Sequence, residues 1–254
     1  MIALLAALHL TLGTAWHSVA PGVWLRDEPM AESGSLSHVR AIVVRVDPSL
    51  NHFQLDLARS PSGFEAEWTL DSMPAHASVA FNAGQFVGGF PWGWVVRDGR
   101  ESQPPGSGTL GMALVVDSGG GVFLVTPREI ESWRGRAVHA FQSYPAMIVD
   151  GRVPWELRKS GRGVDLEHHD SRLAVCTLDD GSLLIALTRF IGSPLPWGPT
   201  VPEMAGYMLS LGCTRAMLLD GGISSQLAVR SDNGSVRQWR NWRRVPLALV
   251  VTPK

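Results

Sequence analysis

The placement of stops along this chain limits its fold more than any other feature. Short runs rich in Val, Ile, Leu and Ala recur from residue 39 to residue 252, and each gives way quickly to Gly, Asp, Asn, Ser or Pro. Runs of this length and composition, bounded by turn formers, read as strands. They predict strands over 39–47, 52–58, 77–82, 111–117, 121–126, 172–178, 182–190, 215–220, 226–230 and 246–252. Ser118-Gly119-Gly120 and Asp179-Asp180-Gly181, each between two such runs, predict β-hairpins.

One segment breaks the pattern. In PTVPEMAGYMLSLGC (199–213), Thr200 stands as N-cap with Glu203 as its capping-box partner, and Pro202 falls in the first turn. Met204, Met208 and Leu211 share one face, and Gly212 ends the helix. PREIESW (127–133) predicts a shorter helix. No period repeats and no long linker divides the chain. The expectation is one strand-rich α+β domain over 16–254, with a mixed sheet and few helices.

Residues 1–15, MIALLAALHLTLGTA, are apolar and uncharged and end in small residues. They read as an export signal cleaved after Ala15, too short to span a membrane. The basic residues that usually open such a signal are absent, which leaves a buried first strand or helix as the alternative. A secreted or periplasmic protein without stable membrane insertion is expected. The formal net charge of −1 points to neither nucleic acid nor an anionic membrane surface as partner. The ten tryptophans are read mainly as packing residues, with stacking on a sugar or base as the minority role. Cys176 and Cys213 each sit among apolar residues and are expected as two separate, reduced, buried thiols.

Four stretches place polar groups at strand ends. LLDGGISSQL (218–227) runs from a strand into Asp220, Gly221, Gly222, Ser224 and Ser225. VAFNAGQFVGGFPWGW (79–94) ends a strand on Asn82 and follows it with Gly84. HAFQSYPAMIVDGRVP (139–154) carries Gln142 and Ser143 between apolar runs, and HHDSRLAVCTLDDG (168–181) sets His169, Asp170 and Arg172 before a strand. A DGG turn alone is more often a plain hairpin. Four such ends together read as one rim of a site.

In this order the four stretches resemble the phosphodiester glycosidase family, whose pattern runs N-G-G-F-F, then a Q-x-G-P-like strand followed by D-G, then R-T-A-x-G, then L-D-G-G-G-S-S. The helix before the last motif is also similar, and the resemblance spans about residues 20–252. Several positions depart from it. Ala83 and Gln85 replace a glycine and a phenylalanine, and Tyr144 stands where glycine is expected. Leu173 replaces threonine, Cys176 a glycine and Ile223 the third glycine. The resemblance implies an exported hydrolase acting on a sugar 1-phosphodiester in a glycan or cell-envelope polymer, with a carbohydrate or sugar-phosphate substrate.

The residues support that chemistry. Arg172 suits phosphate through its planar, permanently charged fork. Asp220 suits a general base for water, or a stabiliser of a cationic sugar transition state. Asn82, Gly84, Gln142, His169 and Asp170 are candidate substrate-binding residues, and the amides of Gly221 to Ser225 are candidate phosphate donors. Arg172 as a mere ion-pair partner of Asp170 or Asp220 stays open. No metal and no cofactor is expected, because adjacent His168, His169 and Asp170 lack metal-ligand spacing. A non-catalytic carbohydrate-binding module, favoured by Tyr144 and Ile223, and a glycosidase indifferent to phosphate are the competing readings.

Overall fold

The computed structural model describes residues 15–31, 33–58, 65–161, 163–192 and 196–254. Residues 1–14 of the expected export signal lie outside the described residues. All ten expected strands form, with ends shifted by a residue or two. A seven-stranded sheet runs in the order His17–Ala20, Val23–Pro29, Val39–Val46, Leu183–Phe190, Leu173–Thr177, Arg215–Leu218, Ala146–Ile148. A five-stranded sheet orders Val122–Val125, Met112–Asp117, Ala137–Ser143, Val95–Arg97 and Arg100–Gln103. A second one orders Val236–Trp239, Leu227–Arg230, Val79–Asn82, Leu247–Pro253 and Asn51–Leu57.

The strand-rich α+β class holds, but the mixed sheet does not: every pairing between described strands is antiparallel. The reason lies in one connection. The helical crossover from Leu183–Phe190 to Arg215–Leu218 would place parallel neighbours side by side. Instead Leu173–Thr177 lies between them, running the opposite way and pairing with both.

Side-chain alternation builds the layers. Within Val39–Val46, Ile42, Val44 and Val46 enter a central core, while Ala41 and Val43 face the opposite side. The central core gathers inner faces from all three of these larger sheets, including Val44, Ile185, Leu114, Phe141, Phe81 and Leu249. Outside the seven-stranded sheet, the helix Val201–Ser210 packs Met204, Ala205 and Met208 against Ala41, Val43, Ala174 and Ala216. Its expected capping box forms, with Thr200 accepting from the Glu203 amide at 3.4 Å and Glu203 Oε2 accepting from the Thr200 amide at 2.7 Å. The helix Pro127–Trp133 is likewise boxed by Thr126 and Glu129 and covers the outer face of the first five-stranded sheet through Ile130.

The cysteines correct the expectation. Both are buried in apolar surroundings, as read, but they form a disulfide. Cys176 pairs in register with Ala216, and Cys213 lies just before that strand, so the returning helix brings the two Cα atoms to 5.7 Å. A sequence separation of 37 gave no sign of this approach.

Candidate active site

Pairing of Arg215–Leu218 with Leu173–Thr177 sets Leu218 opposite Ala174. The chain leaving the first strand therefore meets the chain entering the second at one sheet edge. The ladder continues past both ends, with the Leu219 amide donating to Leu173 O at 2.8 Å and the Gly222 amide to Ser171 O at 2.7 Å. Two glycines permit this approach. A Cβ at Gly221 would stand 2.5 Å from Ser171 O, and one at Gly222, where φ is +54°, 2.5 Å from Asp170 Oδ2. Gly221 lets backbone lie against backbone, and Gly222 leaves room for the Asp170 carboxylate.

Asp170, Arg172 and Asp220 thus line one cavity of about 240 Å³, together with Gln85, Tyr144, His168 and Gly221. Burial pushes the Asp220 carboxyl above the ordinary aspartate range, and the Asp170 charge adds to that rise. A hydrogen bond with Ser224 and the charge of Arg243 work against it. Burial also raises Asp170, opposed by Arg172, by the Ser171 amide at 2.8 Å and by His168, whose Nε2 lies 3.7 Å from Oδ2. Arg172 is oriented by its backbone neighbours. Its Nε donates to Pro199 O at 3.0 Å and its Nη2 to His168 O at 2.5 Å, and burial lowers its pKa without bringing an arginine near neutrality. Two carboxylates with raised pKa beside a guanidinium in one cleft are the groups that acid–base chemistry on an anionic ligand would use.

Other expected site residues act from behind. Asn82 is 1% exposed and grips both ends of the turn: Nδ2 donates to Asp220 O at 2.8 Å, and Oδ1 accepts from the Gln226 amide at 2.8 Å. The Gly84 carbonyl accepts from the Asp220 amide at 3.1 Å. Gln142 binds the loop across it, accepting from the amides of Trp94 at 3.0 Å and Gly106 at 2.7 Å. His169 Nδ1 lies 2.8 Å from Gly198 O, its ring stacked on Trp197 at 4.9 Å. The amides of Gly222, Ser224 and Ser225 go to protein carbonyls, so these three are not the phosphate donors that were expected. The Ser225 hydroxyl donates to Gly222 O at 2.8 Å.

Four residues at the site were not assigned to it from the sequence. His168, rather than His169, faces the cavity. Gln85 and Tyr144, noted only as departures from the family pattern, both line it, and the Gln85 amide donates to Tyr144 O. The Tyr144 hydroxyl in turn donates to Gly163 O. Arg243 is carried in by its amide, which donates to Ile223 O at 3.0 Å, and its guanidinium sits 4.9 Å over the Phe86 ring. Only a basic pair, Arg243-Arg244, marked it in the sequence.

The phosphodiester glycosidase family model matches residues 75–252. This chain belongs to the phosphodiester glycosidase family. The matched stretch contains Asn82, Asp170, Arg172, Asp220 and Arg243, so the whole cavity lies inside the phosphodiester glycosidase segment. No curated protein matches the chain. Among solved structures, it resembles the catalytic domain of zebrafish N-acetylglucosamine-1-phosphodiester alpha-N-acetylglucosaminidase, auto-inhibited by its pro-peptide. The TM-score is 0.67 at 16% identity, covering 98% of this chain and 87% of that one. A hypothetical protein from Synechocystis matches with TM-score 0.62 at 15% identity, over 92% of this chain and 62% of that one. A candidate exported protein of Burkholderia pseudomallei K96243 matches with TM-score 0.55 at 15% identity, over 85% and 74% of the respective chains. At these identities the likeness establishes the fold of the phosphodiester glycosidases and leaves their substrates open.

Proposed function

We propose that this protein hydrolyses the glycosidic bond of a sugar 1-phosphodiester in a glycan or cell-envelope polymer, as a single domain over residues 16–254 exported behind residues 1–15. The observation that carries the reading is the meeting of Asp220, Asp170 and Arg172 on one cavity. Cleavage between the anomeric carbon and the phosphate oxygen sends the bonding pair to a phosphomonoester. Its second pKa lies near 6, so departure requires no strong acid. Water adds at the anomeric carbon and gives its proton to the Asp220 carboxylate, which also faces the positive charge developing on the sugar. Arg172 binds the phosphate oxygens, and Arg243 adds a second positive charge near Asp220.

The export reading is supported by the apolar leader, by the disulfide, which suits an oxidising compartment, and by the family. Among the described residues no helix is long and apolar enough to cross a membrane. One observation favours a second reading, a binding module. Tyr144 and Gln85 occupy the cavity where the family pattern carries a glycine and a phenylalanine. Release of phosphomonoester from a chromogenic N-acetylglucosamine 1-phosphodiester is the test. Turnover that disappears in Asp220→Asn supports the hydrolase. Saturable binding without release would establish the module instead, and equal turnover of a phosphate-free aryl glycoside would remove the phosphate from the mechanism.

A further inference from the structure

None of the ten tryptophans lines the cleft that holds Asp220, but two of them line another cavity. This second cavity measures about 270 Å³, and its wall includes Trp239, Trp242, Gln238, Asn241, Arg189 and Ser225. Its size lies near the lower end for small-molecule sites, with room for about one sugar ring. The indole of Trp242 is 68% exposed, an uncommon position for the largest apolar side chain.

That exposure is built in by the residues on either side. Asn241 Nδ2 donates to Gly222 O at 2.6 Å and to Ser225 Oγ at 2.9 Å, and the Arg243 amide donates to Ile223 O. The backbone of Trp242 is thus held between two anchored neighbours, which fixes where its indole leaves the chain. A fixed exposed ring face beside side-chain amides and hydroxyls is the combination that recognises a sugar. Apolar C–H faces stack on the ring, and hydroxyls pair with the amides.

The charge on the wall narrows the choice. Among the described residues no Asp or Glu lines the cavity, while Arg189 and Arg240 both do. Arg240 pairs with Asp71 at 3.0 Å, and Arg189 has no acidic partner among the described residues. We infer that this cavity is a second binding site, for a sugar ring bearing a carboxylate or phosphate, separate from the cleft of Asp220.

Calorimetric titration with glucuronate, glucose 6-phosphate and glucose tests this. Both anionic sugars are expected to bind saturably, at least ~10-fold more tightly than glucose, since each factor of ten corresponds to about 1.4 kcal/mol. If only one binds, the difference identifies carboxylate or phosphate as the group recognised. Trp242→Ala and Arg189→Gln, both exposed substitutions that leave the thermal midpoint in place, are each expected to weaken binding ~10-fold or more. Asp220→Asn is expected to leave it unchanged, which separates this site from the proposed hydrolytic one. The inference is overturned if none of the three sugars binds, or if Trp242→Ala binds as well as the parent. It is equally overturned if Asp220→Asn alone removes binding, because the sugar then sits in the other cleft.

Discussion

Asp220 is held in a state that opposes its own stability. Its folded-state pKa lies above that of the unfolded chain, so between those two values the native protein keeps a proton that the unfolded chain has already lost, and above both the carboxylate is unprotonated in either state. Stability attached to Asp220 is therefore fully present below the ordinary aspartate pKa and declines as pH rises through the raised one. Asp220→Asn is expected to cut kcat by about 100-fold or more. The same variant should match or exceed the parent's melting temperature at pH 7, an advantage that fades as the pH is brought below about 4. Loss of folding would make Asp220 a structural residue. Arg243 shifts the same equilibrium the other way, because a nearby cation favours the carboxylate. In Arg243→Gln the acid limb of the kcat/KM profile should move to higher pH, and a profile left in place would detach Arg243 from the site. Asn82→Ala removes both grips on the turn and leaves a buried amide and a buried carbonyl without their partner. A loss of about 2 kcal/mol in denaturant stability, with kcat falling more than KM rises, is expected. Asp220 was legible because a strand end followed by glycines exposes a polar group, and Asp170 and Arg172 because they stand immediately before a strand. Asn82 and Gln142 were legible as important but not in role: a buried amide that braces backbone has the same one-letter signature as one that greets a sugar.

At the scale of elements, the legible parts were those whose pattern is complete within a few residues. The capping boxes at Thr200 and Thr126 and the apolar runs at 39–46 and 183–190 needed no knowledge of their neighbours. Val23–Pro29 and Arg100–Gln103 were not read as strands, because their polar residues make sense only once a partner strand supplies the other face. The disulfide belongs to the same class of hidden feature. It fastens the end of the helix Val201–Ser210 to the strand Leu173–Thr177, closing a loop that holds the whole crossover. For a separation of 37 residues the chain-entropy estimate is roughly 4 kcal/mol. Replacing both cysteines with alanine should lower unfolding free energy by about 2–4 kcal/mol, read from the denaturant midpoint at unchanged slope. An unchanged midpoint would show that packing of Met204 and Met208 alone secures the helix.

For the molecule as a whole, the three sheets share one core, and the site stands where two of them are stitched together. Asn82 ends a strand of one sheet and holds the turn that leaves another. This junction could not be read from the sequence, since every contact across it joins distant segments. The strand Leu247–Pro253 lies between Val79–Asn82 and Asn51–Leu57, with Leu249 opposite both Phe81 and Leu55. A segment emerging near residue 250 is thus required to pair two strands emerging near residues 55 and 80. Deleting residues 247–254 should leave a chain without near-ultraviolet dichroism or dispersed amide resonances, and a native-like spectrum would contradict the central place of that strand. During synthesis, the sheet that carries Asn82 cannot close until residue 253 has cleared the ribosome. Until then the edge strand Asn51–Leu57, whose one neighbour in that sheet is Leu247–Pro253, waits unpaired through the synthesis of nearly two hundred residues.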